Sequence, residues 1–225
     1  MFENDSDFFF LEKPPVNLED APPHVEPLES SNTDVKVRIS GRHIHISQKD
    51  LELLYGPGYN LTKYRDLAQP GQYAAKETLT VVGPKGVIEG IRILGPIRDK
   101  TQVEISGTDG YRLGMEPPVR DSGNIAGTPG IVLVGPYGAV TLKEGVILAA
   151  THIHMSPDDA AKLKLKNGDR VQVLVDGERD IIFTEVLVRV DRSFITEMHV
   201  DTDEANAAVI EDGDYVTIIG KILVS

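Results

Sequence analysis

The 225-residue sequence contains no cysteine. That one absence excludes disulfides, thiolate zinc fingers, iron–sulfur ligation and a cysteine nucleophile together, so any bound metal must be held by histidine and carboxylate. No apolar run approaches the roughly 20 residues that a membrane-spanning helix needs. The N-terminus is acidic, whereas a secretory signal starts with a basic segment, so a cytoplasmic location is expected and no membrane partner. Basic residues are scarce as well: 23 against 35 acids, for a formal net charge of −12. Phosphate-backbone affinity is built from Lys and Arg, so no nucleic-acid partner is expected. What is present suffices for a core, because 40% of the residues are hydrophobic. The length allows one large domain or two small ones.

The acid excess is unevenly placed. Residues 1–34 hold nine acids and a single base, Lys13, a net −8 out of the −12. Five of the fourteen prolines fall there too, together with Phe2 and the run Phe8-Phe9-Phe10-Leu11. Proline fixes φ and removes a donor, so this stretch reads as an extended, acidic arm. Its apolar cluster has two readings, a docking peptide or a loose terminal extension. The phenylalanines are consecutive rather than spaced i, i+3, i+4, so a clean amphipathic helix is not indicated.

From Val35 onward the pattern is mainly β. Alternation marks Val35–Ile39, Leu79–Val82, Val171–Val175 and Ile181–Val186, with Gly, Pro and Asp punctuating at short intervals. Many short strands with regular turn signals predict small barrels or sandwiches. Two short helices are predicted, 47–54 and 156–163, each opened by a capping serine, Ser47 or Ser156, the second with Pro157 at its first position. Residues 56–76 read as a longer connection. Three internal echoes point to duplication of a small β unit. His43-Ile-His-Ile-Ser47-Gln-Lys-Asp50 repeats as His152-Ile-His-Met-Ser156-Pro-Asp-Asp159; Val82-Gly-Pro-Lys-Gly-Val87 repeats as Val134-Gly-Pro-Tyr-Gly-Ala139; and Asn167-Gly-Asp-Arg-Val repeats as Asp212-Gly-Asp-Tyr-Val. The expected architecture is two duplicated small β-barrels capped by short α-helices, with the active site between them. Residues 35–41 and 150–225 would form one barrel and residues 42–149 the other.

Five of the six histidines lie in the two His-x-His pairs or at His199. On a strand alternate side chains share a face, so His43 and His45 reach one cation, as do His152 and His154. Imidazole and carboxylate suit zinc, and no softer ligand is available. A catalytic zinc keeps three protein ligands and an open position, so four paired histidines, His199 and one carboxylate supply two metals. Glu104, in Thr101-Gln-Val-Glu-Ile-Ser106, is the best carboxylate, although taken alone it reads first as a solvated strand residue. The alternative for the histidine pairs is plain hydrogen bonding at barrel ends. A cupin pattern fails because Lys49 and Asp50 stand where its Glu is required. An amidohydrolase pattern fails for want of long helices alternating with parallel strands.

Read with their neighbours, these residues resemble the PduL-type phosphotransacylases, or phosphate propanoyltransferases. The likeness spans residues 35–220. It rests on Gly41-Arg-His-Ile-His-Ile-Ser47, Gln69-Pro-Gly-Gln-Tyr-Ala74, Glu77–Gly86, Arg92-Ile-Leu-Gly-Pro-Ile-Arg98, Gln102-Val-Glu-Ile-Ser106, Val119-Arg-Asp-Ser-Gly123, Ala150–Ser156 and Glu197-Met-His199, in that order. The resemblance implies a reversible reaction of acyl-CoA with phosphate, giving acyl phosphate and CoA, at a site with two Zn²⁺. It implies His43, His45 and Glu104 as ligands of one metal, and His152, His154 and His199 of the other. Arg98 matches the family's phosphate arginine. Ser40, Arg65, Arg92, Leu94, His199 and Asn206 match CoA-contacting positions, with Arg65 standing where a lysine is expected.

The loop 114–130 carries Arg120 and Ser122 as further phosphate candidates, or is an ordinary connection. Propanoyl-CoA and acetyl-CoA differ by one methylene, worth about 1–3 kcal/mol of discrimination, so acyl preference stays open with propanoyl expected. A non-catalytic zinc module and a metallohydrolase of CoA esters are the alternatives. Family members inside bacterial microcompartments carry an N-terminal encapsulation peptide, a layout that residues 1–34 share. Shell or core proteins are then expected partners, and a homo-oligomer is left open.

Overall fold

The computed structural model describes residues 25–28 and 33–223. In chain order they form β1 (Val25–Pro27), β2 (Asp34–Ile39), β3 (His43–Ser47), α1 (Gln48–Tyr55), β4 (Lys63–Asp66), β5 (Tyr73–Val82), β6 (Val87–Arg98), β7 (Gln102–Glu104), α2 (Gly107–Leu113), β8 (Val119–Arg120), β9 (Val132–Val134) and β10 (Ala139–Thr141). Then follow β11 (Val146–Ala149), β12 (His152–Met155), α3 (Pro157–Lys162), β13 (Arg170–Val175), β14 (Ile181–Val190), β15 (Glu197–Val200), α4 (Thr202–Ala208) and β16 (Tyr215–Ile222).

The strands make two sheets. One runs β1-β16-β13-β14-β12-β15-β2, and an added β16–β2 pairing closes six of its strands into a barrel. The other runs β10-β9-β5-β6-β3-β7-β11-β8, with β4 on β5, and stays open as a half-barrel. The fold is thus mainly β with few short helices, as the alternation and turn spacing require. The chain leaves the closed sheet after Ile39, builds the whole open sheet, and re-enters the closed one at His152. Each sheet wraps its own apolar core, one around Val37, Ile153 and Val188, the other around Ile44, Leu79 and Ile93. Burying these aliphatic side chains, each worth about 1.5–3 kcal/mol, is what holds each sheet curved.

The two units repeat one plan. β3 pairs parallel to β6 and antiparallel to β7, while β12 pairs parallel to β14 and antiparallel to β15. A serine at the end of β3, or just after β12, caps the next helix: Ser47 accepts from the Asp50 N–H and Ser156 from the Asp159 N–H. The Gly-Pro-x-Gly echo also has a structural purpose. In each copy the turn lies against the end of a helix, and its third residue donates to a free carbonyl of the last turn: Lys85 to Leu113 at 3.0 Å, Tyr137 to Leu54 at 2.9 Å. A Cβ on Gly83 or Gly135 would stand 2.5 Å from those same carbonyl oxygens, so only glycine fits.

Three readings from sequence need amendment. The connection 56–76 holds β4 and the start of β5, although β4 is exposed along its length. Two further helices, α2 and α4, follow β7 and β15. In the stretch read as an arm, Val25–Pro27 pairs antiparallel with Gly220–Ile222. The Phe run and the encapsulation reading of residues 1–34 otherwise lie outside the described residues.

Candidate functional site

The first cluster is set by register. Antiparallel pairing puts His43 opposite Glu104 and His45 opposite Gln102. The His43 ring donates Nδ1–H to the Gly41 carbonyl at 2.9 Å in the tautomer that this acceptor selects, which leaves Nε2 as a lone pair. That nitrogen lies 3.2 Å from His45 Nε2 and 3.5 Å from Glu104 Oε2, and His45 Nε2 lies 3.4 Å from Glu104 Oε1. Three side chains converge at these separations in a buried place, each offering one ligand atom. Tetrahedral zinc with bonds near 2.1 Å needs edges of about 3.3–3.4 Å, so the set fits that ion.

The second cluster repeats the plan with imidazoles alone. Pairing sets His152 opposite His199 and His154 opposite Glu197. His152 Nδ1 faces the Ala150 carbonyl at 2.8 Å, as His43 faces Gly41. The His152 and His199 rings stack 5.0 Å apart, and His154 stands edge-on to both at 4.7 Å. One ligand atom from each of the three lies within 4.8 Å of the others. His45 Nδ1, His154 Nδ1 and His199 Nε2 are buried and, among the described residues, have no hydrogen-bond partner. Both clusters can therefore hold a borderline-soft divalent cation. Their faces meet at one cavity, lined by Ser40, Glu104, Ala150, His152, His199 and Asp201.

Electrostatics favour an ionised carboxylate, and neutral imidazole at every one of these histidines except His43. Burial opposes ionisation of Glu104, but the His43 charge and the hydrogen bonds of both imidazoles hold it well below the usual carboxylate range. Burial likewise works against His43, yet Glu104 pulls its pKa up. His45 falls to about 4 through burial, despite Glu104. In the second cluster burial, then mutual repulsion, takes His154 down to about 2 and His199 to about 3, and burial lowers His152. Neutral imidazole is the form that binds metal.

The Arg98 guanidinium reaches the first cluster through Ser122: it donates to Ser122 Oγ at 3.2 Å, and that hydroxyl donates to Glu104 Oε1 at 2.8 Å. Arg98 also lines an open groove with Ser47, Lys49, Lys100 and Lys143, so the fork is approachable from solvent. Arg120, by contrast, is exposed and turns to the Val119 carbonyl, so the structure brings Ser122 to the clusters and leaves Arg120 outside. Ser40 Oγ meets His199 Nδ1 at 3.3 Å. Leu94 sits in register beside His45 on β6. Arg92 donates to the Ala75 and Lys76 carbonyls and lies over the Tyr64 ring. Arg65 on β4 and Asn206 on α4 are exposed.

Sequence reading passed over Gln102 and Glu197, both 2% exposed and both touching a cluster member. It also passed over Gln69, whose Nε2 reaches Glu197 Oε1 at 2.7 Å and so ties the connection 56–76 to the closed barrel. The Glu-Met-His spacing was the available signal, since alternation puts Glu197 and His199 on one face.

Against known proteins, a family model described as phosphate propanoyltransferase matches residues 36–211. A phosphate propanoyltransferase of Thermotoga maritima is 58% identical over 184 residues, covering 81% of this chain and 88% of that protein. One from Listeria monocytogenes is 53% identical over 189 residues, covering 84% and 89%. One from Rhodopseudomonas palustris is 49% identical over 187 residues, covering 83% of each.

Proposed function

The chain belongs to the phosphate propanoyltransferase family and is a phosphate acyltransferase, and from that premise we propose that it moves a propanoyl group reversibly between coenzyme A and inorganic phosphate, at two zinc ions and without an acyl-enzyme. The observation that carries this reading is the meeting of the two clusters at one cavity, with Arg98 joined to Glu104 through Ser122.

His43, His45 and Glu104 would hold one ion, and His152, His154 and His199 the other. Bound there, the ions supply positive charge that offsets repulsion between phosphate and the developing oxyanion and polarises the thioester carbonyl. The protein's own groups do the rest. Arg98 offers its planar fork to two phosphate oxygens and holds the nucleophile near the carbonyl carbon. Its groove, lined by Lys49, Lys100 and Lys143 and also by Asp50, Asp99 and Glu144, gives phosphate an approach to the fork. Ser122 holds Arg98 and Glu104 at a fixed spacing. Ser40 stands beside His199 on the cavity wall, where it would meet CoA together with Arg65, Arg92, Leu94 and Asn206. As the phosphate oxygen bonds to the acyl carbon, the C–S bond breaks and its electron pair leaves with the CoA sulfur. Both acyl donors are activated, so the same groups serve the reverse direction.

The deciding assay measures phosphate-dependent CoA release from acetyl-, propanoyl- and butanoyl-CoA, with and without a chelator. Propanoyl-CoA should turn over fastest, and zinc should restore the chelated protein. Equal CoA release without phosphate would mean hydrolysis and would overturn the proposal. On the same reading residues 1–34 direct the enzyme into a microcompartment. A fluorescent reporter fused to them should then collect in assembled shells, and a diffuse signal would remove that part.

A further inference from the structure

Gln102 and Glu197 occupy the same place in the two strand pairs. On β7, Gln102 stands opposite His45 and two residues before Glu104. On β15, Glu197 stands opposite His154 and two residues before His199. Alternation puts each on the same face as the third donor of its cluster. The chemistry of each is the complement of that donor. Glu104 is an acceptor, and the Gln102 amide donates Nε2–H to its Oε1 at 2.5 Å. His199 carries an N–H in its neutral form, and the Glu197 carboxylate, an acceptor, lies with Oε1 3.7 Å from His199 Nε2.

Both side chains also have partners behind them. Gln102 Oε1 accepts from the Gly123 N–H at 2.8 Å, and its amide reaches Ser122 Oγ at 3.0 Å. Glu197 accepts from Arg38 Nε at 2.9 Å and from Gln69 Nε2 at 2.7 Å. Gln69 is itself locked to the backbone of Ile195, through its carbonyl at 3.0 Å and its N–H at 3.2 Å. Burying an amide and a carboxylate this fully costs several kcal/mol unless each is paired, so their presence calls for a purpose.

We propose that Gln102 and Glu197 are a matched pair of positioning residues, one for each metal cluster: Gln102 sets the Glu104 carboxylate, and Glu197 sets the His199 imidazole. The proposal rests on the two-metal reading of the site. It makes the donor or acceptor character of the neighbour follow from that of the ligand, which is why the two positions differ in identity. Through Gln69, it also braces the second cluster from both sheets.

The test isolates each cluster. His154→Ala leaves the first intact, and His45→Ala leaves the second. Zinc affinity is read by competition with a colorimetric chelator, with no acyl substrate present. Loss of such an orienting partner costs roughly 10–100-fold in metal affinity. Glu197→Gln should therefore weaken zinc binding roughly 10–100-fold in the His45→Ala protein and leave the His154→Ala protein unchanged. Gln102→Met should do the reverse. Arg38→Gln, which removes the ion pair of Glu197 but not its carboxylate, should leave both affinities in place. If Glu197→Gln does not fold, Glu197→Asp keeps the charge for Arg38, withdraws the carboxylate from His199, and carries the same expectation. Equal effects in both backgrounds, no effect, or the same loss from Arg38→Gln would each overturn the pairing. Failure of both single-cluster proteins and of the unmodified chain to bind zinc would instead bring down the two-metal reading, a separate result.

Discussion

Ser122 and Glu104 share one hydrogen bond that has two jobs: the Ser122 hydroxyl donates to Glu104 Oε1 at 2.8 Å while accepting from Arg98 at 3.2 Å. The hydroxyl thereby spends its proton on the carboxylate and its lone pair on the guanidinium. Arg98 is held near the cluster without touching any of the six candidate ligands through a hydrogen bond of its own, and burial lowers its pKa while Glu104 acts to restore it. Charge for phosphate and charge for metal are thus separated by one side chain.

That separation makes Arg98 removable without losing metal. Arg98→Ala should lower kcat/KM on the order of 10²–10³-fold, the scale for deleting one preorganised donor, with zinc content unchanged by elemental analysis. Arg98→Lys should recover only a small part, because a point charge cannot clamp two oxygens. Loss of zinc in Arg98→Ala would show that the guanidinium is structural.

The buried imidazoles make the metal-stripped protein sensitive to acid. Burial, reinforced by mutual repulsion, puts His154 at about 2 and His199 at about 3, and burial puts His45 at about 4 and lowers His152. In the unfolded chain each would titrate near 6.5. The unfolded state therefore takes up protons first, and stability present above about pH 6.5 is lost as pH falls toward the folded values. His43, which is raised, acts in the opposite sense but is one group against four. The denaturant midpoint of chelated protein should fall between pH 7.5 and 5, at a slope of up to about 1.4 kcal/mol per pH unit for each histidine. His154→Gln should flatten that slope. A midpoint independent of pH would show that the folded histidines titrate normally.

How far this was legible in the sequence varies by element. The histidine pairs could be read because duplication repeated them at one offset, His43 to His152 and His45 to His154, each before a capping serine. The third donors escaped that comparison. Glu104 and His199 differ in identity, and the connections before β7 and β15 differ in length, so the constant spacing is lost. The structure restores it by register, since each stands opposite the first histidine of its pair. α4 was passed over although Asp201 and Glu204 form a capping box, because its seven residues are too few to show a helical stripe. β4 was missed because all four of its residues, Lys63–Asp66, are exposed and polar, with no alternation to detect. The Gly-Pro-x-Gly echo was visible as repetition, but its use as a helix cap needed the third dimension.

The last relationship is a clamp present in both units. Thr196 Oγ1 donates to Asp159 Oδ2 at 2.6 Å and accepts from the Ser156 N–H at 3.1 Å. Thr101 Oγ1 does the same with Asp50 Oδ2, at 2.5 Å, and with the Ser47 N–H, at 3.0 Å. Each threonine stands three residues before the third donor of its cluster, so the clamp ties that donor's strand to the helix that follows the histidine pair. Removing the hydroxyl strands an N–H and leaves the carboxylate oxygen with the capping serine as its remaining donor, which costs about 1–3 kcal/mol. Thr196→Val and Thr101→Val should each lower the unfolding free energy from denaturant titration by that amount, and their costs should add, since they sit in separate units. Asp159 gives the first a pH signature. The Lys162 hydrogen bond, then those from Thr196 and Ser156, hold its pKa at about 2. A depressed carboxylate contributes stability above its unfolded value, near 3.9, that is lost as pH falls toward 2. Without the threonine hydroxyl its folded pKa rises, so the stability gap between Thr196→Val and the unmodified chain should close as pH drops below 4. A gap that stays constant down to pH 2 would mean that the hydroxyl does not act through Asp159.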